Sequence, residues 1–167
     1  MSNTVKFKDA VMHLVGDMPQ VGAVAPALSL ADNALHAKSL ADYKDKVLVL
    51  VCVPSLDTPV CDMEVRRFNA EAAGLSDKVV IAAVSRDLPF AQARWCGAAG
   101  VKAVVTLSDY RDGSFGKAWG VYIDELGLLA RAVFIVKDGK IEYVQLVPEV
   151  TEQPDFDALL QAMKKFV

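Results

Sequence analysis

One uninterrupted apolar run, Val47 to Val53, constrains the fold of this chain more than any other segment. It consists mainly of valine and leucine and has no polar face. The strand it predicts must therefore be covered on both sides, as in the centre of a parallel sheet. Pro54 ends the run, because proline cannot donate the next hydrogen bond of a sheet. A membrane span needs about 18 apolar residues, so this much shorter run predicts a buried core rather than contact with a membrane.

Further strands and helices alternate after this run. Similar apolar stretches at 78–85 and 101–107 predict two more buried strands. Apolar residues at helical spacing predict a helix that starts at Pro59 and turns its charged residues away from the core. These charged residues are Asp62, Glu64, Arg66 and Arg67. The same periodicity predicts helices over 89–99, 114–119 and 154–166.

Antiparallel strands are expected before and after these alternating strands and helices. Alternating residues from Val5 to Val15, with Asp9-Ala10 between the two arms, predict an N-terminal β-hairpin. Short strands are expected at 28–30 and 35–38. A two-residue turn at Asp138-Gly139 is typical of a hairpin and joins predicted strands at 130–137 and 140–147. We therefore predict an α/β protein with a thioredoxin-like fold: a mixed central sheet flanked by helices, with an N-terminal β-hairpin.

Composition and charge narrow the class of function. The chain has 167 residues, which suits a single domain over residues 1–167. Its formal net charge of -3 argues against a nucleic-acid partner, since such proteins need a basic surface. The N-terminal residues 1–6 contain no long apolar stretch and no secretory signal is visible, so we expect a cytoplasmic protein. Three cysteines in a reducing compartment are not expected to form a permanent disulfide framework.

Cys61 lies where a thiol can be kept as a reactive anion. Thr58 followed by Pro59 predicts a helix start, with Thr58 as the cap and Cys61 in the first turn. The N–H groups and dipole at a helix N-terminus favour a thiolate, which is the nucleophilic form of cysteine. The neighbouring acids Asp57 and Asp62 oppose this, so we expect a guanidinium close to the sulfur. The residues alone leave five candidates: Arg66, Arg67, Arg86, Arg94 and Arg131.

The remaining cysteines and both histidines suggest no metal or hydrolase chemistry. Cys52 alternates with core residues of the central strand, so we expect an inert core thiol. The chain has no Cys-x-x-Cys motif and no zinc-like cysteine spacing, so neither a dithiol reductase nor a metal centre is predicted. Nothing in the sequence places His13 or His36 near Cys61, where a cysteine hydrolase would need one.

Several segments resemble the thiol peroxidase branch of the peroxiredoxin family, atypical two-cysteine type. The segment Pro54-x-x-x-Thr58-x-x-Cys61 is similar to the peroxiredoxin signature. SRDLPFAQARWCG, at 85–97, is similar to the second-cysteine segment of this branch. Residues 127–132 resemble its late arginine strand, and residues 149–155 its approach to the last helix. The resemblance covers nearly the whole chain.

The resemblance implies a role for each matching residue. Cys61 is the expected peroxidatic cysteine, which attacks hydrogen peroxide or an organic hydroperoxide, and Cys96 the expected resolving cysteine of the same chain. Thr58 is expected to hydrogen-bond the sulfur or the substrate, and Pro54 to shield the pocket from water. Arg131 is expected to hold the thiolate and polarise the peroxide. The family further implies thioredoxin as the reductant and a homodimer, and the thiol chemistry needs no metal or organic cofactor.

Two other functions remain open from the sequence. A redox sensor would use the same two cysteines but would pass its oxidation to a partner protein, and so would stop after one round. A non-catalytic thioredoxin-fold binding domain would show ordinary thiol reactivity at Cys61. Repeated consumption of peroxide separates the enzyme from the sensor, and the effect of Cys61→Ser separates it from the binding domain.

The glycines after Cys96 predict motion. Gly97 and Gly100 are expected to weaken the end of the helix that carries Cys96. A disulfide needs Cα atoms about 4.4–6.8 Å apart, which two thiols on separate intact helices are not expected to reach. We therefore expect both helices to unfold partly around the thiols during turnover. Tyr110, Arg111 and Phe115 cluster near a loop after the third predicted strand. They form either a dimer patch, as the resemblance to the family implies, or ordinary packing.

Overall fold

The computed structural model describes residues 3–72 and 77–166, and these ranges contain the predicted alternation of strands and helices. The strands are β1 Thr4–Phe7, β2 Ala10–Val15, β3 Leu30–Ala31, β4 Ala37–Lys38, β5 Val47–Cys52, β6 Val79–Ser85, β7 Val104–Ser108, β8 Tyr122–Ile123, β9 Leu128–Leu129, β10 Ala132–Lys137 and β11 Lys140–Leu146. The helices are α1 Pro59–Ala72, α2 Pro89–Ala99, α3 Ser114–Ala118 and α4 Phe156–Lys164, and Leu40–Tyr43 forms a 3-10 turn.

The central sheet is mixed, as the sequence predicted. Its strand order is β11-β10-β5-β6-β7-β3-β4. The three strands β5, β6 and β7 run parallel, and β10 runs antiparallel to β5 on the other side. Every residue of β5 is buried, which confirms the prediction from its continuous apolar run. No helix in the described ranges has the length and apolar character to cross a bilayer.

Side chains that alternate along β5 divide the core into two clusters, one on each face of the sheet. Val49 and Val51 belong to the cluster that includes Phe68 of α1 and Leu159 of α4. Leu50 belongs to the opposite cluster, which includes Trp119 next to α3. Helices therefore cover both faces, and the helices α1 and α2, which carry Cys61 and Cys96, lie on the same one.

The N-terminal hairpin is present, but its turn differs from the prediction. The turn residues are Lys8 and Asp9, with φ of 51° and 70°, as a type I′ turn requires, rather than Asp9-Ala10. A second hairpin, formed by β8 and β9, was not predicted from the sequence. It pairs with β2 and completes a separate sheet of four strands. Each of its strands has two residues, which is too short for an alternating pattern to show.

The third parallel strand begins at Val104, whereas the sequence pattern predicted 101–107. The side-chain oxygen of Asn69, on α1, accepts hydrogen bonds from the backbone amides of Lys102 and Ala103, at 3.2 and 2.8 Å. An amide that donates to α1 is not free to join the sheet ladder. The segment therefore follows α1 first and enters the sheet only afterwards.

Candidate active site

The loop between β5 and α1 places Cys61 in the first turn of a helix. Thr58 lies immediately before α1, and its carbonyl accepts a hydrogen bond from the amide of Asp62 at 2.9 Å. The Thr58 hydroxyl accepts from the amide of Cys61 at 3.4 Å and donates to the carbonyl of Ser55 at 3.0 Å. The predicted cap and helix start are therefore present. Cys61 itself is 0% exposed, so its sulfur is shielded from solvent at the positive end of α1.

Arg131 supplies the cation that the sequence required. It directly precedes β10, and Ala132 at the start of β10 pairs with Cys52 at the end of β5, next to the active loop. The Nη2 atom of Arg131 donates to the Sγ atom of Cys61 at 3.2 Å. The side chain is 2% exposed, so solvent does not screen this contact. The geometry thus selects Arg131 from the five candidate arginines.

Two further acceptors hold Arg131 in place. Its Nε atom donates to the carbonyl of Val150 at 2.9 Å, and its Nη1 atom donates to Oε2 of Glu64 at 2.6 Å. The planar guanidinium therefore reaches its three partners from three separate nitrogens, whereas an ammonium group would have to serve all of them from a single atom.

Glu64 was placed wrongly by the sequence pattern. It was predicted to point away from the core, yet it is 0% exposed and pairs with Arg131. Burial raises the pKa of its carboxyl to about 7, although the Arg131 guanidinium acts in the opposite direction. Glu64 follows Cys61 by three positions, so the two share a helix face. That spacing was the signal that could have identified it.

The other candidate acids and arginines are either bound to other groups or exposed to solvent. Asp62, which was expected to oppose the thiolate, accepts from Nε of Arg66 at 2.9 Å and from Nε1 of Trp95 at 2.8 Å. Asp57 is exposed to solvent. The three remaining candidates lie elsewhere: Arg67 over the ring of Phe156, Arg86 among loop carbonyls, and Arg94 on the surface.

Cys96 lies on α2, and no disulfide joins it to Cys61. Its sulfur is 3.7 Å from the hydroxyl of Thr106 on β7. It also lines an open cleft of about 540 Å³ together with Asn33 and Tyr43. The helix is intact as far as Ala99. The structure therefore holds both thiols reduced, each within its own helix.

Pro54 and Asp87 shape the loop that leads to Cys61. Pro54 is buried directly after β5. The carboxylate of Asp87, which follows β6, accepts from the Ser55 hydroxyl at 2.7 Å and from the Leu56 amide at 2.9 Å. Asp87 lies in the second-cysteine segment, but the sequence did not assign it a role. The two bonds show that it fixes the active loop to the end of the parallel sheet.

Residues for which the sequence predicted no catalytic role lie away from Cys61. Cys52 is 0% exposed in the central strand, and burial raises the pKa of its thiol well above the usual value. His13 is 2.8 Å from Glu125, in the N-terminal sheet region. Phe115 is 1% exposed and belongs to the core, so it packs internally and is not part of a surface patch. Among the described residues, no group of three or more His, Cys, Asp or Glu side chains is arranged to hold a metal ion.

Comparisons with known proteins place the whole chain in a family. The family model described as Redoxin matches residues 20–160. A thiol peroxidase of Bacillus subtilis is 51% identical over 164 residues, covering 98% of each chain. A solved peroxiredoxin-like protein from Aquifex aeolicus has a TM-score of 0.92 at 42% identity, covering 100% of this chain and 99% of its own. A thiol peroxidase from Chromobacterium violaceum has a TM-score of 0.87 at 20% identity, covering 99% and 97%, and shows the shared fold alone. These likenesses confirm the predicted thioredoxin-like architecture.

Proposed function

The chain belongs to the redoxin family, among the thiol peroxidases, which reduce peroxides through a thiol, and from that membership we propose that Cys61 is its peroxidatic and Cys96 its resolving cysteine. The observation that carries the proposal is the 3.2 Å contact between Nη2 of Arg131 and Sγ of Cys61 at a helix N-terminus. Two sources of positive potential meet at one buried sulfur, which favours the thiolate.

In the first step, the Cys61 thiolate attacks the terminal oxygen of a hydroperoxide. A sulfur–oxygen bond forms and the oxygen–oxygen bond breaks, leaving a sulfenic acid at Cys61. The departing alkoxide takes up a proton and leaves as an alcohol, or as water when the substrate is hydrogen peroxide. Negative charge moves from the sulfur to the leaving oxygen, so fixed donors beside both atoms lower the barrier.

Three residues serve this step in the proposal. Arg131 holds the sulfur and polarises the peroxide, and its other bonds prevent the guanidinium from turning away. Thr58 orients the peroxide through its hydroxyl, which lies at the same helix end as the sulfur. Pro54, buried behind the loop, keeps water from the pocket.

In the second step, the Cys96 thiolate attacks the sulfenic sulfur within the same chain. A disulfide forms, the sulfur–oxygen bond breaks, and hydroxide leaves with a proton as water. We propose that thioredoxin, a protein dithiol, then supplies two electrons and two protons and restores both thiols. The open cleft beside Cys96 supports this, because the reductant must reach a sulfur of the disulfide from outside.

The domain organisation, the oligomeric state and the cellular compartment are part of the same proposal. We propose that residues 1–167 act as a single domain, because both sheets contribute to one of the core clusters. A homodimer is proposed on family membership alone. A reducing compartment such as the cytoplasm suits an enzyme whose resting form keeps its thiols free.

Mass analysis with peptide mapping after one equivalent of peroxide tests the cysteine roles. We expect the wild-type mass to fall by that of a hydrogen molecule, with a 61–96 bridge inside one chain. Cys96→Ser should instead gain oxygen at Cys61, and Cys61→Ser should not react. An unbridged wild-type protein, or a bridge between two chains, would contradict the assignment.

Turnover tests the enzymatic reading against a redox sensor. With thioredoxin and its reductase present, we expect peroxide consumption to continue well beyond one equivalent of protein. A sensor would stop once each chain has been oxidised. Consumption that stops there, with an intact 61–96 bridge, would refute the proposed reductant while keeping the cysteine roles.

A further inference from the structure

Hydrogen bonds join the helix of Cys61 directly to the helix of Cys96. Nε1 of Trp95, on α2, donates to Oδ1 of Asp62, on α1, at 2.8 Å. Nη1 of Arg66, on α1, donates to the carbonyl of Ala99, the last residue of α2, at 3.3 Å. Nε of Arg66 donates to the other oxygen of Asp62 at 2.9 Å. Asp62 and Arg66 therefore act as one connected unit that holds the second half of α2 at two points.

The first half of α2 is anchored in a different way. Its buried residues are Pro89 and Gln92, and beyond Gln92 no residue of the helix is fully buried. The Nε2 atom of Gln92 donates to the hydroxyl of Ser85 at 3.0 Å and to the carbonyl of Leu107 at 2.8 Å. The first half is thus fixed to the central sheet, whereas the second half, which carries Cys96, is held mainly by side chains of α1. Among the described residues, its one polar side-chain contact with the sheet is the 3.7 Å approach of the Cys96 sulfur to the hydroxyl of Thr106.

We propose that Asp62, Arg66 and Trp95 form a latch that keeps Cys96 in its helix until Cys61 has been oxidised. Asp62 directly follows Cys61 in the first turn of α1. Because Cys61 is fully buried, its oxidised sulfur can meet Cys96 only if that turn unwinds. Unwinding moves Asp62, which breaks its bond to Trp95 and frees the second half of α2. Opening at one cysteine therefore triggers opening at the other.

The latch sets the lifetime of the sulfenic acid. While α2 is held, Cys96 cannot attack the sulfenic sulfur, and a second peroxide can oxidise it irreversibly to sulfinic acid. Once α2 is free, the sulfur–sulfur bond forms and the sulfenic oxygen leaves as water. The three side chains are positioning residues that touch neither substrate nor reacting atoms. This inference rests on the proposed function, because it concerns the resolving step.

Trp95→Phe tests the latch, because it keeps an aromatic ring but removes the N–H that binds Asp62. A hydrogen bond to a charged group is worth about a factor of ten or more in an equilibrium. We therefore expect disulfide formation after peroxide to be about tenfold faster and sulfinic acid to fall in proportion. The rate of the first oxidation should stay at the wild-type value. Rapid quenching, sulfenic acid trapping and mass analysis measure all three.

Trp119→Phe is the matched control, since it makes the same chemical change in the other core cluster. Nε1 of Trp119 donates to the carbonyl of Ala27 at 3.1 Å, far along the chain from either helix. We expect its disulfide rate to equal that of wild type. Equal acceleration in both variants would show general loosening and overturn the latch, as would an unchanged rate in Trp95→Phe.

Asp62→Ala provides a second approach that keeps Trp95 in place. It should accelerate disulfide formation at least as much as Trp95→Phe does, and the double variant should gain little beyond Asp62→Ala alone, because that change already removes the bond to Trp95. Additive effects would contradict the latch. If wild type forms no 61–96 disulfide, the proposed function itself fails; if it forms one and these variants do not change its rate, only the latch fails.

Discussion

The guanidinium of Arg131 divides its nitrogens among groups from separate parts of the chain. Nη2 reaches Cys61, Nη1 reaches Glu64, and Nε reaches the carbonyl of Val150. At the scale of single residues, the site therefore depends on a side chain that is fully ordered before substrate arrives. Such preorganisation avoids the entropic cost of placing a charge in each turnover.

Replacing Arg131 by lysine separates charge from geometry. Arg131→Lys keeps a positive charge but removes the planar fork that serves three acceptors. We expect the rate constant of Cys61 with hydrogen peroxide to fall about 100-fold, the size typical of losing a positioned donor. Arg67→Lys is the control, because Arg67 lies 4.0 Å from the ring of Phe156 and should keep the wild-type rate. Stopped-flow oxidation measures both, and wild-type speed in Arg131→Lys would remove that residue from the mechanism.

Glu64 makes stability depend on pH in a specific direction. Burial raises its pKa from 4.5 to about 7. Between these values the folded protein holds a proton that the unfolded chain has released, so the free energy of unfolding decreases as pH rises. The proton on Glu64 therefore contributes about 3 kcal/mol to the free energy of unfolding. This contribution is complete below the unfolded-state pKa of 4.5 and is lost above the folded-state pKa of about 7.

Glu64→Gln should remove that part of the pH dependence. Urea unfolding of both proteins across this pH interval measures it, since glutamine does not titrate. We expect the wild-type free energy of unfolding to decline with rising pH relative to that of the variant. Parallel curves would show that Glu64 titrates alike in the folded and unfolded states.

The sequence predicted those site residues whose environment is local. Thr58 and Cys61 follow from a helix start that neighbouring residues define. The burial of Glu64 was not predictable in this way, because a buried carboxylate needs a partner, and Arg131 lies 67 positions away. For the same reason the residues alone left five arginines open, and Arg131 was singled out only by resemblance.

At the scale of elements, the N-terminal half of α2 is anchored to the sheet, whereas its C-terminal end contains two glycines and is less stable. Gly97 lies inside the helix, and an added Cβ would meet no atom within 4 Å. Gly100 caps the helix with φ of 69°, a left-handed conformation that other residues rarely adopt. The same substitution should therefore act in opposite directions at two positions three residues apart.

Gly97→Ala should stabilise the second half of α2 by about 0.5–1 kcal/mol, because alanine loses less entropy in a helix. Gly100→Ala should destabilise it by about 1–2 kcal/mol through backbone strain. We expect the first variant to slow formation of the 61–96 disulfide and the second to accelerate it. Amide hydrogen exchange over 93–99 should change in the same sense. Changes of the same sign in both variants would mean that opening of this helix end does not control resolution.

Elements were predictable in proportion to their length. The buried strand β5 and the helix α2 extend over enough residues for a period to show. The paired strands β8 and β9 do not, and they depend on β2 for their place. The start of β7 was misplaced because Asn69, on another element, takes up the preceding amides.

At the scale of the whole molecule, the residues of the site come together at one end of the central sheet. The Cys61 loop follows β5 and Asp87 follows β6. Arg131 precedes β10, which runs the opposite way and so brings its start to the same end. The sequence could predict that these strands exist and that the sheet is mixed. Their register, with Ala132 opposite Cys52, depends on long-range pairing that no local pattern carries.

This architecture predicts that global unfolding of the sheet and local opening of α2 expose different cysteines, so labelling of Cys52 and Cys96 can distinguish the two. Cys52 is 0% exposed in the central strand, with β6 on one side and β10 on the other, so only loss of the sheet can expose it. Burial also raises the pKa of its thiol well above the usual value, which keeps it protonated in the folded state. Cys96 lies half buried near the weak end of α2, where local opening is enough.

Thiol labelling of the reduced protein with peptide mapping should therefore show different urea dependences. We expect labelling of Cys52 to rise with urea as steeply as global unfolding, because both expose the same large surface. Labelling of Cys96 should be faster and nearly independent of urea at low concentrations, because a few residues at a helix end expose little new surface. Equal rates and equal slopes at the two positions would mean that Cys96 becomes accessible only when the sheet itself unfolds, and a disulfide cycle based on local opening of α2 would then be impossible.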